Sequence, residues 1–161
     1  MWNIAQEWPP QASMKRALIL DRDVSGNARL RWALSELGYQ VEMAEDLNAA
    51  LSAIRASAEP LAVFFNIEAP RETLDGEDFA DMLGALLSER ALRNQHIFAA
   101  ISNTPLDVEM ILGKILDRLE IPLFAKPCDV VAIEGYLALA AARQHAPTLP
   151  AQAEPAELTA N

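Results

Sequence analysis

Short apolar runs alternate along this chain with longer stretches whose apolar residues recur every three or four positions. RALIL from Arg16 to Leu20, LAVFF from Leu61 to Phe65 and IFAAI from Ile97 to Ile101 carry no helical period and read as strands buried on both faces. Tyr39 to Ala44 is a further strand, and Leu123 to Ala125 a brief fifth. Between them, Leu30, Ala33, Leu34 and Leu37 share one face of a helix over Asn27 to Leu37, which Gly38 stops. Asp46 caps a helix through Ile54. Further helices are predicted over Glu77 to Arg90, Pro105 to Leu119 with Thr104 as its cap, and Asp129 to Arg143.

Strand followed by helix, repeated along the chain, predicts an α/β domain. Right-handed crossovers wind such units into a doubly wound five-stranded parallel sheet with helices on both faces. The flavodoxin-like order 2-1-3-4-5 is the expected one, with a crevice above the carboxyl ends of strands 1, 3, 4 and 5. The domain is expected over residues 14–144. Residues 1–13 hold Pro9-Pro10 and read as an N-terminal arm; residues 145–161 are rich in proline and alanine and read as a flexible tail or linker.

Composition narrows the function. The formal charge of -10, from 23 acidic against 13 basic side chains, repels phosphate backbones and anionic lipid heads, so neither nucleic acid nor membrane is an expected partner. No run of about 20 apolar residues is present to span a bilayer, and a cytoplasmic location is expected. Cys128 is the single cysteine, which excludes an intrachain disulfide and a cysteine-based zinc site. His96 has no second histidine near it in sequence, only His145 in the tail, and no metal role is expected of it. Asp75, Glu77, Asp78 and Asp81 form an acidic run read as a solvated face whose first acids suit a helix amino terminus.

The residues leaving the strand ends are Asp21, Arg22 and Asp23, then Asn66 and Glu68, then Ser102 and finally Lys126. With ILDRD after the first strand, GYQV, Asp75-Gly76 and Lys126-Pro127 in that order, the stretch from Lys15 to Arg143 resembles the receiver domain of two-component response regulators, the CheY-like family. The resemblance implies a magnesium-holding acidic pair after strand 1, a phosphate-accepting aspartate after strand 3, a hydroxyl after strand 4 and a lysine before a cis proline after strand 5. Here Arg22 replaces the second acid, and Asn66 stands at the acceptor position. The aromatic that the family carries three residues before the lysine is Leu123, with Phe124 on the opposite face of its strand.

A carboxamide is a far poorer nucleophile than a carboxylate, and a cation beside Asp21 opposes a divalent metal. The expectation is a degenerate pseudo-receiver with no catalytic residue, no metal and no cofactor, active in signalling or regulation through protein contacts. Its pocket is Asp21, Arg22, Asp23, Glu68, Ser102 and Lys126, in which Arg22 and Lys126 are expected to neutralise Asp21, Asp23 and Glu68. The partner is expected to be another protein or a second copy, a homodimer through the last two helices. Their apolar surplus includes Ile111, Ile115, Leu119 and Tyr136. The alternatives are a receiver phosphorylated on another pocket carboxylate, or a small-anion sensor built on Arg22 and Lys126. The loop Pro70 to Gly76 borders the pocket, either as a lid across it or as a surface extension.

Overall fold

The computed structural model describes residues 14–68, 79–105 and 110–145. The predicted arm, the tail beyond 145, the Pro70 to Gly76 loop and the acids Asp75, Glu77 and Asp78 lie outside the described residues.

Five strands form the sheet: β1 (Lys15–Leu20), β2 (Tyr39–Ala44), β3 (Leu61–Asn66), β4 (Ile97–Ser102) and β5 (Leu123–Ala125). Every pairing is parallel and the order is β2-β1-β3-β4-β5, as the strand-helix alternation predicts. The helices are α1 (Ala28–Glu36), α2 (Leu47–Ala56), α3 (Phe79–Ser88), α4 (Arg90–Gln95), α5 (Met110–Arg118) and α6 (Val130–His145).

β3 and β4 are buried at every position, which is why they read as unbroken apolar runs. Their alternate side chains feed two cores. Leu61, Val63 and Phe65 of β3 join Leu51 and Ile54 of α2, Leu86 of α3 and Leu116 of α5 on one face. Ala62 and Phe64 join Leu30 and Leu34 of α1 and Ile133 and Leu137 of α6 on the other. Leu123 packs against the first core and Phe124 against the second, as the period of two requires.

The ends of the helices follow local chemistry. Asp46 Oδ1 accepts the Ala49 N–H at 2.8 Å and caps α2 as predicted. Gly38, at a φ of 83°, reverses the chain after α1 and donates its N–H to Ser35 O. The predicted helix over Glu77 to Arg90 is corrected: α3 ends at Ser88, Glu89 is extended with ψ 96°, and α4 begins a separate helix at Arg90. No side chain of α4 is buried, so no apolar stripe announces it in the sequence.

His96 ties β3 to β4. Its buried Nδ1 accepts the Leu61 N–H at 3.1 Å, a structural role. No helix among the described residues is long and apolar enough to cross a membrane.

Candidate functional site

The register sets the carboxyl ends of the central strands level. Leu20 lies beside Phe65, Asn66 beside Ile101 and Ser102 beside Ala125, so the residues just past those ends converge on one crevice. Two further backbone bonds extend the ladder there, Ile67 N–H to Ile101 O and Lys126 N–H to Ser102 O. The peptide bond Lys126-Pro127 is cis, as the receiver resemblance implies.

Asp21 is the hub of the crevice. Lys126 Nζ donates to its Oδ2 and forms an ion pair with it; the side chains are 3% and 4% exposed. Asn27 Nδ2 donates to the same oxygen at 2.6 Å, and the Asp23 N–H donates to Oδ1 at 3.0 Å. Burial pushes the Asp21 carboxyl up, but Lys126, the Asp23 amide, Asn27 and Asn66 outweigh it, and its pKa lies below the ordinary carboxylate value. Asp21 is therefore an anion at neutral pH, and its charge is already matched.

Arg22 is a correction to the expected ion-pair cluster. It is exposed, its Nε donates to Glu45 O at 3.1 Å, and it makes no ion pair with Asp21, Asp23 or Glu68. Its side chain reaches the residue that follows β2 while Asp21 is buried, so of the two expected cations only Lys126 pairs in the crevice, and it pairs with Asp21. The anion-sensor alternative loses one of the two cations on which it rested. Asp23 is also exposed and instead closes the turn into α1, with Oδ1 accepting the Gly26 N–H at 2.8 Å.

Asn66 and Glu68 act together. Asn66 is buried, and its Oδ1 accepts the Glu68 N–H at 2.9 Å, a local turn closed by the amide oxygen. That turn sends the Glu68 carboxylate across the gap to the end of β4. Its Oε1 accepts from Ser102 Oγ at 2.6 Å, Thr104 N at 2.8 Å and Thr104 Oγ1 at 2.8 Å. Its Oε2 accepts from Asn103 N at 3.1 Å and Asn103 Nδ2 at 3.0 Å. Burial raises the Glu68 pKa, yet the hydroxyls of Ser102 and Thr104 and the amides of Asn103 and Thr104 bring it down to about 2. Glu68 is thus balanced by hydrogen-bond donors rather than by the cations predicted for it. Thr104, expected to cap the next helix, spends its hydroxyl on Glu68.

A divalent cation of the kind receivers hold does not fit these donors. Both Asp21 oxygens already accept from Lys126, Asn27 and Asp23, the outward-facing Arg22 supplies no carboxylate beside it, and Asn66 offers a neutral oxygen in place of one. No group of three or more His, Cys, Asp or Glu among the described residues could hold a metal ion.

Asn27, Asn103 and Thr104 are site residues that sequence reading passed over. Asn27 precedes the first helix and looks like a cap, but its side chain makes no cap bond and turns back to Asp21 and to Asp23 O instead. Its spacing of six from Asp21 was the available signal. Cys128, two positions past Lys126, is buried; burial pushes its thiol up despite Lys126 and Arg29, which makes it an inert packing residue.

The predicted interface residues divide differently. Ile115 and Leu119 pack against one core, and Tyr136 packs against the other while its hydroxyl donates to Phe98 O at 2.6 Å. The Ile111 side chain lies outside the described residues. The large apolar side chains that α6 exposes are Val131 and Leu139. A cavity of about 540 Å³ opens at the opposite, amino-terminal edge of the sheet, between Lys15, Tyr39 and Leu61 and the α6 residues Leu137 and Ala141.

No family model matches the chain, and no curated protein does. Solved structures do. The chain is similar to the signal receiver domain of an HD domain-containing protein from Pseudomonas fluorescens Pf-5, at 20% identity and a TM-score of 0.61, over 81% of this chain and 97% of that one. A CheY-like response regulator receiver domain protein from Methanospirillum hungatei JF-1 is matched at 18% identity and a TM-score of 0.62, over 82% and 97%. A sensor protein from Polaromonas sp. JS666 is matched at 19% identity and a TM-score of 0.62, over 81% and 98%. The fold is that of CheY-like receiver domains.

Proposed function

We propose that the chain is a receiver-type signalling module that takes no phosphoryl group and acts by contact with another protein, a second copy included. The observation that carries this reading is Asn66 at the carboxyl end of β3, its amide oxygen engaged with the Glu68 N–H. An acyl phosphate needs a carboxylate oxygen as nucleophile, and a carboxamide at that position does not supply one. The remaining anion at the crevice floor, Asp21, is paired with Lys126 and shielded by Asn27. The same lysine is the cation that would otherwise meet an incoming phosphoryl group.

Output on this reading goes through the surface that includes α5, β5 and α6, where Val131 and Leu139 offer apolar contact. The module works in the cytoplasm with no enzymatic activity and no cofactor. Incubation of the full chain with acetyl phosphate and magnesium, followed by intact mass, tests it. The expected result is an unchanged mass. Gain of one phosphoryl group on Asp21, Asp23 or Glu68 would overturn it and establish a receiver that uses another acid.

A further inference from the structure

Five donors from three successive residues converge on Glu68. Ser102 gives its hydroxyl, Asn103 its backbone and side-chain N–H groups, and Thr104 its backbone N–H and hydroxyl. A carboxylate offers about four lone-pair directions on its two oxygens, so this set saturates it. Ser102 is wholly buried, and its oxygen also accepts the Thr104 N–H at 2.9 Å, which fixes the spacing of the donors independently of the acid. The acid is delivered by a separate device, the Asn66 turn on a different strand.

We propose that Ser102, Asn103 and Thr104 form an oxyanion cradle that Glu68 fills as a tethered ligand, so that the loop leaving β4 is held by an anion the chain itself supplies. The inference rests on the preceding reading of the crevice, because a module with a built-in anion has no need of a transferred one. The chemical class the cradle accepts is a small oxyanion with two or more acceptor oxygens, a carboxylate or an inorganic phosphate. Tethering decides the competition. Glu68 is aligned by Asn66 before it binds, whereas a free anion pays its own ordering cost at millimolar concentration.

Removal of the tethered acid therefore opens the cradle. In the full chain labelled with nitrogen-15, inorganic phosphate or sodium acetate is titrated while the Asn103 and Thr104 amide resonances are followed. In Glu68→Ala both amides are expected to move saturably at millimolar anion, and in the natural chain to stay still over the same range. Adding Ser102→Ala to Glu68→Ala is expected to weaken the response about tenfold, the worth of one hydrogen bond to a charged group. Glu68→Gln provides a second variant of nearly the same shape if the alanine chain does not fold, since an amide cannot accept at both positions; the same response is expected. Silent amides in the folded variant, or an equal response in the natural chain, would overturn the cradle. This titration reads reversible binding at two amides, while acetyl phosphate labelling of the natural chain reads a covalent mass change. Either can fail while the other holds.

Discussion

Lys126 and Asp21, 105 positions apart in the chain, meet as an ion pair whose two side chains are almost wholly out of solvent. The pair joins the loop after β5 to the loop after β1 across the ends of β3 and β4, and the donors on Asp21 come from three places in the chain: Lys126, Asn27 and the Asp23 backbone. Charge in this crevice is settled within the protein. A buried pair of this kind contributes less to net stability than its Coulomb attraction suggests, because both ions gave up their hydration. Removing one partner is another matter.

Lys126→Met alone is expected to destabilise the fold by about 3 kcal/mol, since it leaves Asp21 buried with only neutral donors. Asp21→Asn alone leaves a buried ammonium and is expected to cost a similar amount. The double variant should cost no more than either single change, giving a coupling of about 3 kcal/mol in a double-mutant cycle from urea unfolding. Additive losses would show that the two charges do not depend on each other.

Much of this arrangement was legible from strand ends alone. Asp21, Asn66, Ser102 and Lys126 each follow an apolar run by one position or close it, and parallel order brings such positions together. What escaped was direction. Arg22 adjoins Asp21 in sequence but lies outside the crevice, because a residue's neighbour past a strand end has no period to fix its side. Asn103 and Thr104 are ordinary loop residues until Glu68, about 35 positions earlier, is placed against them. α4 has no fully buried residue and packs only Leu92 against the core, and the break at Glu89 carries neither glycine nor proline, so nothing local separates it from α3.

His96 sets one limb of the pH dependence. Burial holds its pKa below the ordinary 6.5, opposed by the carbonyl of Ile54, and its Nδ1 must stay unprotonated to accept the Leu61 N–H. The stability this neutral ring contributes is complete above 6.5 and is lost as pH falls through its lower folded value. His96→Phe is expected to lose about 1 to 3 kcal/mol at neutral pH, because the Leu61 N–H is orphaned. It should also flatten the decline in urea midpoint between about pH 7 and about pH 5. A decline as steep as that of the natural chain would assign the limb to another group.

Gly26 faces Asp23 closely. A Cβ there would lie 2.0 Å from Asp23 Oδ2, so alanine must displace the carboxylate from the turn that it closes on the Gly26 N–H. Gly26→Ala is expected to cost roughly 1 kcal/mol, the net worth of that hydrogen bond. In an Asp23→Ala background the same change should cost almost nothing, since the obstructing side chain is gone. Equal costs in the two backgrounds, measured by thermal unfolding, would place the strain elsewhere.

Glu68 sets the acid limb. Its folded pKa of about 2 lies below the unfolded value of 4.5, so its stabilisation is complete above 4.5 and disappears as pH falls through about 2. The group is exposed at the crevice rim, and solvent screening reduces the contribution to about 1 kcal/mol, roughly 4 °C in melting temperature for a domain of this size. Glu68→Gln is therefore expected to melt lower than the natural chain at neutral pH and to converge with it as the acid limb is crossed. The difference between the two curves isolates Glu68 from Asp21, which titrates in both. High salt should shrink that difference only modestly, because neutral donors rather than a distant cation hold the charge. Curves that run parallel from neutral pH into the acid limb would mean that the five donors bind the side chain without favouring its ionised form.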